Sequence, residues 1–118
     1  MPPITNEEAI VAELNRRLTG RAEVERGYLP RLPRVSCADG FSVSVQACAG
    51  NYCIPRSNQG PWLAVELGFP SEPMPELADL MESGDPLTAT ETVWGYVPVE
   101  RVAKLLAAHG GLMPARSE

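Results

Sequence analysis

Phe41-Ser42-Val43-Ser44-Val45-Gln46-Ala47-Cys48 and Trp62-Leu63-Ala64-Val65-Glu66-Leu67-Gly68-Phe69 decide the fold of this chain. In the first run Phe41, Val43, Val45 and Ala47 alternate with Ser42, Ser44, Gln46 and Cys48. In the second, Leu63, Val65, Leu67 and Phe69 alternate with Trp62, Ala64, Glu66 and Gly68. A period of two with β-branched side chains is the pattern of a strand that buries one face. Between the two runs, residues 51–61 are rich in Asn, Pro, Ser and Gly and read as an extended hairpin loop. The centre of the molecule is therefore expected to be an antiparallel pair in a β-rich core at about 40–70.

Upstream, Thr5-Asn6-Glu7-Glu8 fits a capping box with Thr5 as N-cap. Ile10, Val11, Leu14 and Leu18 then recur at helical spacing until Gly20, which predicts a helix at about 5–19. Glu13 precedes Arg17 by four residues, the favourable order for a helical ion pair. Residues 22–29 read as a further strand, weakened by Gly27 and closed by Pro30. Residues 30–40 read as a loop ending in the Asp39-Gly40 turn.

Downstream, residues 76–83 suit a short helix with Leu77, Leu80 and Met81 inward and Glu76, Asp79 and Glu82 outward. Thr90 to Val97 predicts another strand, and a last helix follows at about 98–109 with Val99, Val102, Ala103 and Leu106 as its buried stripe. Gly110 is placed to end it in the left-handed conformation, with Leu112 as the apolar contact that follows. The order α-β-β-β-α-β-α with hairpin-length links predicts an α+β fold. It is a single domain, 1–118, with a small antiparallel sheet of three to four strands and helices packed on one face. A chain of 118 residues buries enough surface to fold without a metal or disulfide staple.

Charge is unevenly spread over this frame. Residues 1–59 carry seven basic and six acidic side chains, whereas residues 60–118 carry three basic and nine acidic ones, which supplies the net charge of −5. From Ser57 to Glu100 there is no Lys or Arg. A negative folded surface repels phosphate backbones and attracts basic partners, so direct nucleic-acid binding is not expected. No run is long and apolar enough to span a membrane, and the first residues lack the basic and apolar regions of a secretory signal. Three cysteines without such a signal read as free thiols, and a cytoplasmic setting is expected.

Chemistry-bearing patterns are few. Cys37, Cys48, Cys53 and His109 contain the residue types of a Cys₃His zinc site, but lack the tight Cys-x-x-Cys pair that such sites use. Cys53 with His109 is the available nucleophile and base, while His109 equally suits the end of its helix as a capping group. No glycine motif cradles a phosphate, so no cofactor is expected. The densest segment is the loop from Tyr52 to Trp62, which places two aromatics, a thiol and Arg56 on one excursion. Tyr, Trp and Arg concentrate binding energy at interfaces; the same side chains also suit packing over a sheet edge, with Arg56 paired to a carboxylate.

The pieces Phe41 to Ala47, Tyr52-Cys53-Ile54-Pro55-Arg56, Val65 to Ser71, Val93 to Glu100 and His109-Gly110-Gly111 resemble, in order and spacing, a family of small proteins encoded in phage and prophage genomes. The resemblance runs from Gly40 to Leu112 and leaves the first helix outside. It implies a phage accessory protein and lends no catalytic residue. Small acidic proteins of this kind include inhibitors of host defence such as anti-CRISPR proteins. The expected function is therefore non-enzymatic inhibition of a host protein complex, by an acidic surface that occupies a basic nucleic-acid channel. The residues expected to contact the partner are Tyr52, Arg56, Trp62, Glu72, Glu76, Asp79 and Glu82. Alternatives are a small enzyme or metal module built on Cys53 and His109, and a phage structural or assembly protein, with a homodimer left open.

Overall fold

The computed structural model describes residues 2–21 and 29–115. The first helix, α1, spans Glu7–Thr19. Its N-cap is Asn6, whose Oδ1 accepts from the Ala9 amide at 2.9 Å, one residue later than the expected Thr5. The reason lies in Ile4, which exchanges two 2.8 Å backbone hydrogen bonds with Leu112. That pairing holds the chain extended, so the helix starts after it. Ile10, Leu14 and Leu18 form the buried stripe, and Glu13 accepts from both Arg16 and Arg17 at 2.7 Å. The two guanidinium partners hold the Glu13 carboxyl down at about 2.

Four strands, β1 (Val35–Ser36), β2 (Ser42–Gln46), β3 (Ala64–Gly68) and β4 (Val93–Pro98), form one antiparallel sheet in sequential order. Val45 faces Leu67, and Val65 faces Val97. With the helices this makes the expected α+β architecture. The strand expected at 22–29 falls, Leu29 apart, outside the described residues. β1 lies within the segment read as a loop, and two residues are too few to show a period.

β4 runs directly into α2 (Val99–Ala108), whose Val99, Val102, Ala103, Leu105 and Leu106 are buried. Gly110 and Gly111 close this helix at φ +90° and +104°, and their amides donate to the carbonyls of Ala107 and Leu106. This is the glycine stop read from the sequence, and Leu112 behind it is fully buried. α1 and α2 pack against each other, and their apolar stripes share one core with Val43, Val45, Val65, Leu67 and Val97 of the sheet.

Three local expectations change. The segment after Pro70 forms a 3-10 helix at Pro75–Leu80 rather than a helix reaching residue 83. It stops because Met81 pairs with Trp94 and the Glu82 amide donates to the Val93 carbonyl at 2.9 Å. β2 buries both faces, with Ser44 and Gln46 on the polar side almost as inaccessible as Val43 and Val45. The Gln46 side chain accepts from the Leu32 amide and donates to the Leu32 carbonyl, both at 3.0 Å, so its amide is satisfied under that segment. On β3 the inward pattern holds for Val65 and Leu67, while Leu63 and Phe69 at its ends are exposed.

Candidate functional site

The loop between β2 and β3 is held by its own backbone. Ile54 pairs with Ala64, donating to its carbonyl at 3.0 Å, and the Leu63 amide donates back to Ile54 at 2.7 Å. Cys53 is buried, so its neighbours Tyr52 and Ile54 face out in the alternation of an extended segment. The Tyr52 amide donates to Glu66 Oε1 at 3.0 Å, and its carbonyl accepts from the Tyr96 amide at 2.9 Å. Tyr52 is thereby fixed over the sheet between β3 and β4.

Tyr96 can reach Tyr52 because β4 is bulged. The register slips between Val65↔Val97 and Leu67↔Trp94, so Gly95 and Tyr96 together oppose Glu66. Tyr96 takes φ +54°, which costs a non-glycine residue about 1–2 kcal/mol. A Cβ at Gly95 beside it would stand 3.1 Å from Tyr52 Cβ, a tight contact that Tyr52 would have to relieve by a few tenths of an ångström. The outcome is an exposed ladder. The Tyr52 and Tyr96 rings lie 5.8 Å apart at 37°, and the Arg56 guanidinium carbon sits 5.6 Å from the Tyr52 ring centroid. Tyr52, Tyr96, Ile54 and Leu63 are 42, 44, 48 and 64 % exposed. Tyr52 and Arg56 are among the contact residues expected from sequence; Tyr96, Ile54 and Leu63 are not. A glycine inside a strand pattern, Gly95, was the available signal for the bulge.

Trp62, grouped with these residues from sequence, is placed elsewhere. It is 1 % exposed, so it supports the loop from inside the core and offers no contact face. The reason is non-local: the Asn15 amide of α1 clamps the Trp62 backbone, accepting from its N–H at 2.7 Å and donating to its carbonyl at 3.1 Å.

The carboxylates form a separate group. Glu72 Oε1 lies 3.7 Å from His109 Nδ1 at the C-terminal end of α2. Asp79 takes two hydrogen bonds from Arg101, at 2.8 and 2.9 Å, near the N-terminal end of the same helix. Arg101 also donates to the Glu76 carbonyl, and it holds the Asp79 carboxyl below its usual range. Glu72, Glu76 and Asp79 thus run along the flank of α2, and Glu82 follows beyond the end of the 3-10 helix. The expected common outer helix face for Glu76, Asp79 and Glu82 is lost with that helix end. Asp79 is neutralised by Arg101, a residue just past the base-free stretch. Among the described residues no hydrogen bond or ion pair joins this strip to the Tyr52–Tyr96 ladder.

The Cys–His alternative fares differently. Cys37, Cys48 and Cys53 are free and buried, and burial, helped by Asp39, pushes the Cys37 thiol up to about 12. Burial also raises Cys53, whose thiol sits 3.2 Å from the Cys48 carbonyl. Such thiols hold almost no thiolate near neutral pH and are poor nucleophiles. His109 turns instead to Asp39, with Nδ1 2.7 Å from Oδ2, and its ring stacks on Phe41 at 4.1 Å and 9°. No group of three or more His, Cys, Asp or Glu is spaced to hold a metal among the described residues. Accordingly, a thiol-specific disulfide reagent at pH 8 is expected to leave the folded protein unlabelled while titrating all three thiols once it is unfolded. One rapidly labelled thiol in the native state would contradict this placement.

No family model, curated protein or solved structure matches this chain. Among the described residues no helix is long and apolar enough to cross a membrane.

Proposed function

We propose that this protein is a non-enzymatic binding module that engages a protein partner through the Arg56–Tyr52–Tyr96 ladder. Tyr96 carries this reading. An exposed aromatic residue at φ +54° is a cost retained on the surface, and strain of this sort gathers at functional sites. Ile54 and Leu63 are exposed apolar side chains on the same loop, and rigid aromatics with an arginine are the residue types that dominate interface energetics. Glu72, Glu76 and Glu82 supply long-range attraction for a basic partner, which acts mainly on the association rate.

The biological setting proposed is inhibition of a host defence complex, of the CRISPR-Cas type, in the host cytoplasm. It rests on the resemblance of the 40–112 segments to phage-encoded proteins and on the net charge of −5. A basic nucleic-acid channel is the surface such a charge would seek.

The test is capture of a partner from host lysate by the tagged protein, washed at low and high salt, alongside two variants. Tyr96→Gly removes the ring and the positive-φ cost together, so its melting temperature is expected to hold or rise. Its retention of the partner is expected to fall at least about thirtyfold, the size of an interface hot spot. The triple reversal Glu72→Lys, Glu76→Lys, Glu82→Lys is expected to slow association and to flatten the salt dependence. Full retention by Tyr96→Gly would sink the ladder as the contact site, and unchanged salt dependence in the triple variant would sink the acidic contribution.

A further inference from the structure

A cleft of about 580 Å³ lies away from both surfaces, between the last turns of α1 and the 32–36 segment. Arg16, Arg17, Arg21 and Arg34 line it, with Leu32 and Met113 among its apolar walls. Four guanidinium groups around one cavity are notable in a chain of net charge −5. Among the described residues, the only carboxylate paired with any of them is Glu13, which serves both Arg16 and Arg17. Arg34 bonds the Ser42 hydroxyl at 3.0 Å and the Ser42 carbonyl at 3.1 Å.

Arg21 is the most telling. It is half-buried, and its donors go to the carbonyls of Leu18, Pro30 and Ala47, with no carboxylate paired to it among the described residues. A desolvated cation without a counter-charge is costly, and an anion entering the cleft offsets that cost. Among the described residues the local balance is four cations against one paired carboxylate, which draws such an anion in. Arginine rather than lysine at all four positions matters, because the planar guanidinium fork matches carboxylate and phosphate oxygens. The apolar walls and the volume exceed what a bare inorganic ion needs and fall in the range of small-molecule sites.

From this we propose that the arginine-lined cleft binds a small organic oxyanion, a carboxylate or phosphate head carried on an apolar body, with Arg16 and Arg34 closing on the head at the mouth and Leu32 and Met113 covering the body. This site is independent of the partner-binding ladder.

Calorimetric titration of the full chain with phenyl phosphate, 3-phenylpropionate and the neutral 3-phenylpropan-1-ol tests it. Saturable one-to-one binding of at least one anion is expected, weakening with added salt, and the two anions tell which head group is preferred. Arg16→Gln with Arg34→Gln changes only exposed side chains and is expected to melt like the parent while losing about tenfold or more in affinity. In the parent protein, titration is also expected to shift the Nε–Hε resonances of Arg16, Arg21 and Arg34. That readout stands even if the double variant folds poorly. Absence of saturable binding by both anions would overturn the proposal. So would equal binding of the alcohol, or arginine resonances that stay in place while the ligand binds.

Discussion

Trp62→Ala is expected to lower the unfolding free energy by about 3–5 kcal/mol, the usual cost of emptying a large aromatic site in a core. The indole is 1 % exposed and makes three kinds of contact that alanine cannot replace. Its Nε1–H donates to the Ser57 carbonyl at 3.2 Å, which ties the far side of the loop to the core. The Arg21 guanidinium carbon lies 5.8 Å from the ring centroid. The ring also fills the space beside Gly60 so tightly that a Cβ there would stand 2.5 Å from Cε3. A domain of this size holds only about 5–15 kcal/mol in total, so the variant is expected to be near the edge of folding. Urea denaturation followed by circular dichroism measures it, and Trp62→Phe, which keeps most of the ring, is expected to lose clearly less. A Trp62→Ala protein within about 1 kcal/mol of the parent would mean that the site collapses around the gap. Loss of partner capture by this variant would report unfolding, not a missing contact.

The contrast between Trp62 and its neighbours shows which parts of the molecule can be read from sequence. Ile10, Leu14 and Leu18, the Glu13–Arg17 pair and the Gly110 stop are all set within a turn or two of chain, and each is found where expected. The cores of β2 and β3 carry their own period and are found too. What the sequence hides is settled by partners far along the chain. Parity with Ala64 and Glu66 puts Trp62 on the outer side, yet the Asn15 amide, from another element, draws it inward. Gln46 looks solvated until the Leu32 backbone pairs with its amide, and Ser44 until Gln46 and Arg31 bond its hydroxyl.

The candidate site divides in the same manner. Tyr52 and Arg56 were legible as residue types on a loop, but the ladder needs the β4 bulge to bring Tyr96 beneath Tyr52. Charge counting along the chain gave a continuous acidic stretch. In space Arg101 reaches back across the 3-10 helix and cancels Asp79. The four arginines of the cleft, by contrast, lie in a half of the sequence that is neutral on average. Averages over sequence conceal segregation that only the fold produces.

Gly111→Ala is expected to cost roughly 2–5 kcal/mol, while Gly110→Ala, one residue earlier, costs only about 1–2 kcal/mol. Both glycines have positive φ, at +90° for Gly110 and +104° for Gly111, so both substitutions bear the backbone penalty. They differ in what the new methyl group meets. At Gly110 the nearest atom is Ala38 Cβ at 3.1 Å, a contact relieved by a few tenths of an ångström. At Gly111 it is the Ile4 carbonyl oxygen at 2.6 Å, with Thr5 Cγ2 at 2.9 Å. That oxygen accepts the Leu112 amide at 2.8 Å, and the reciprocal bond from the Ile4 amide is equally short. No side-chain rotation removes a backbone oxygen, so the substitution must force Ile4 and Leu112 apart. The damage then spreads, since Leu112 is wholly buried and the Gly111 carbonyl accepts from Ala38 beside β1. Paired urea melts of the two variants measure the difference, and amide exchange at Ile4 and Leu112 is expected to quicken in Gly111→Ala alone. Equal costs with unchanged exchange would place the whole effect in the φ preference and leave the Ile4–Leu112 closure without a part in stability.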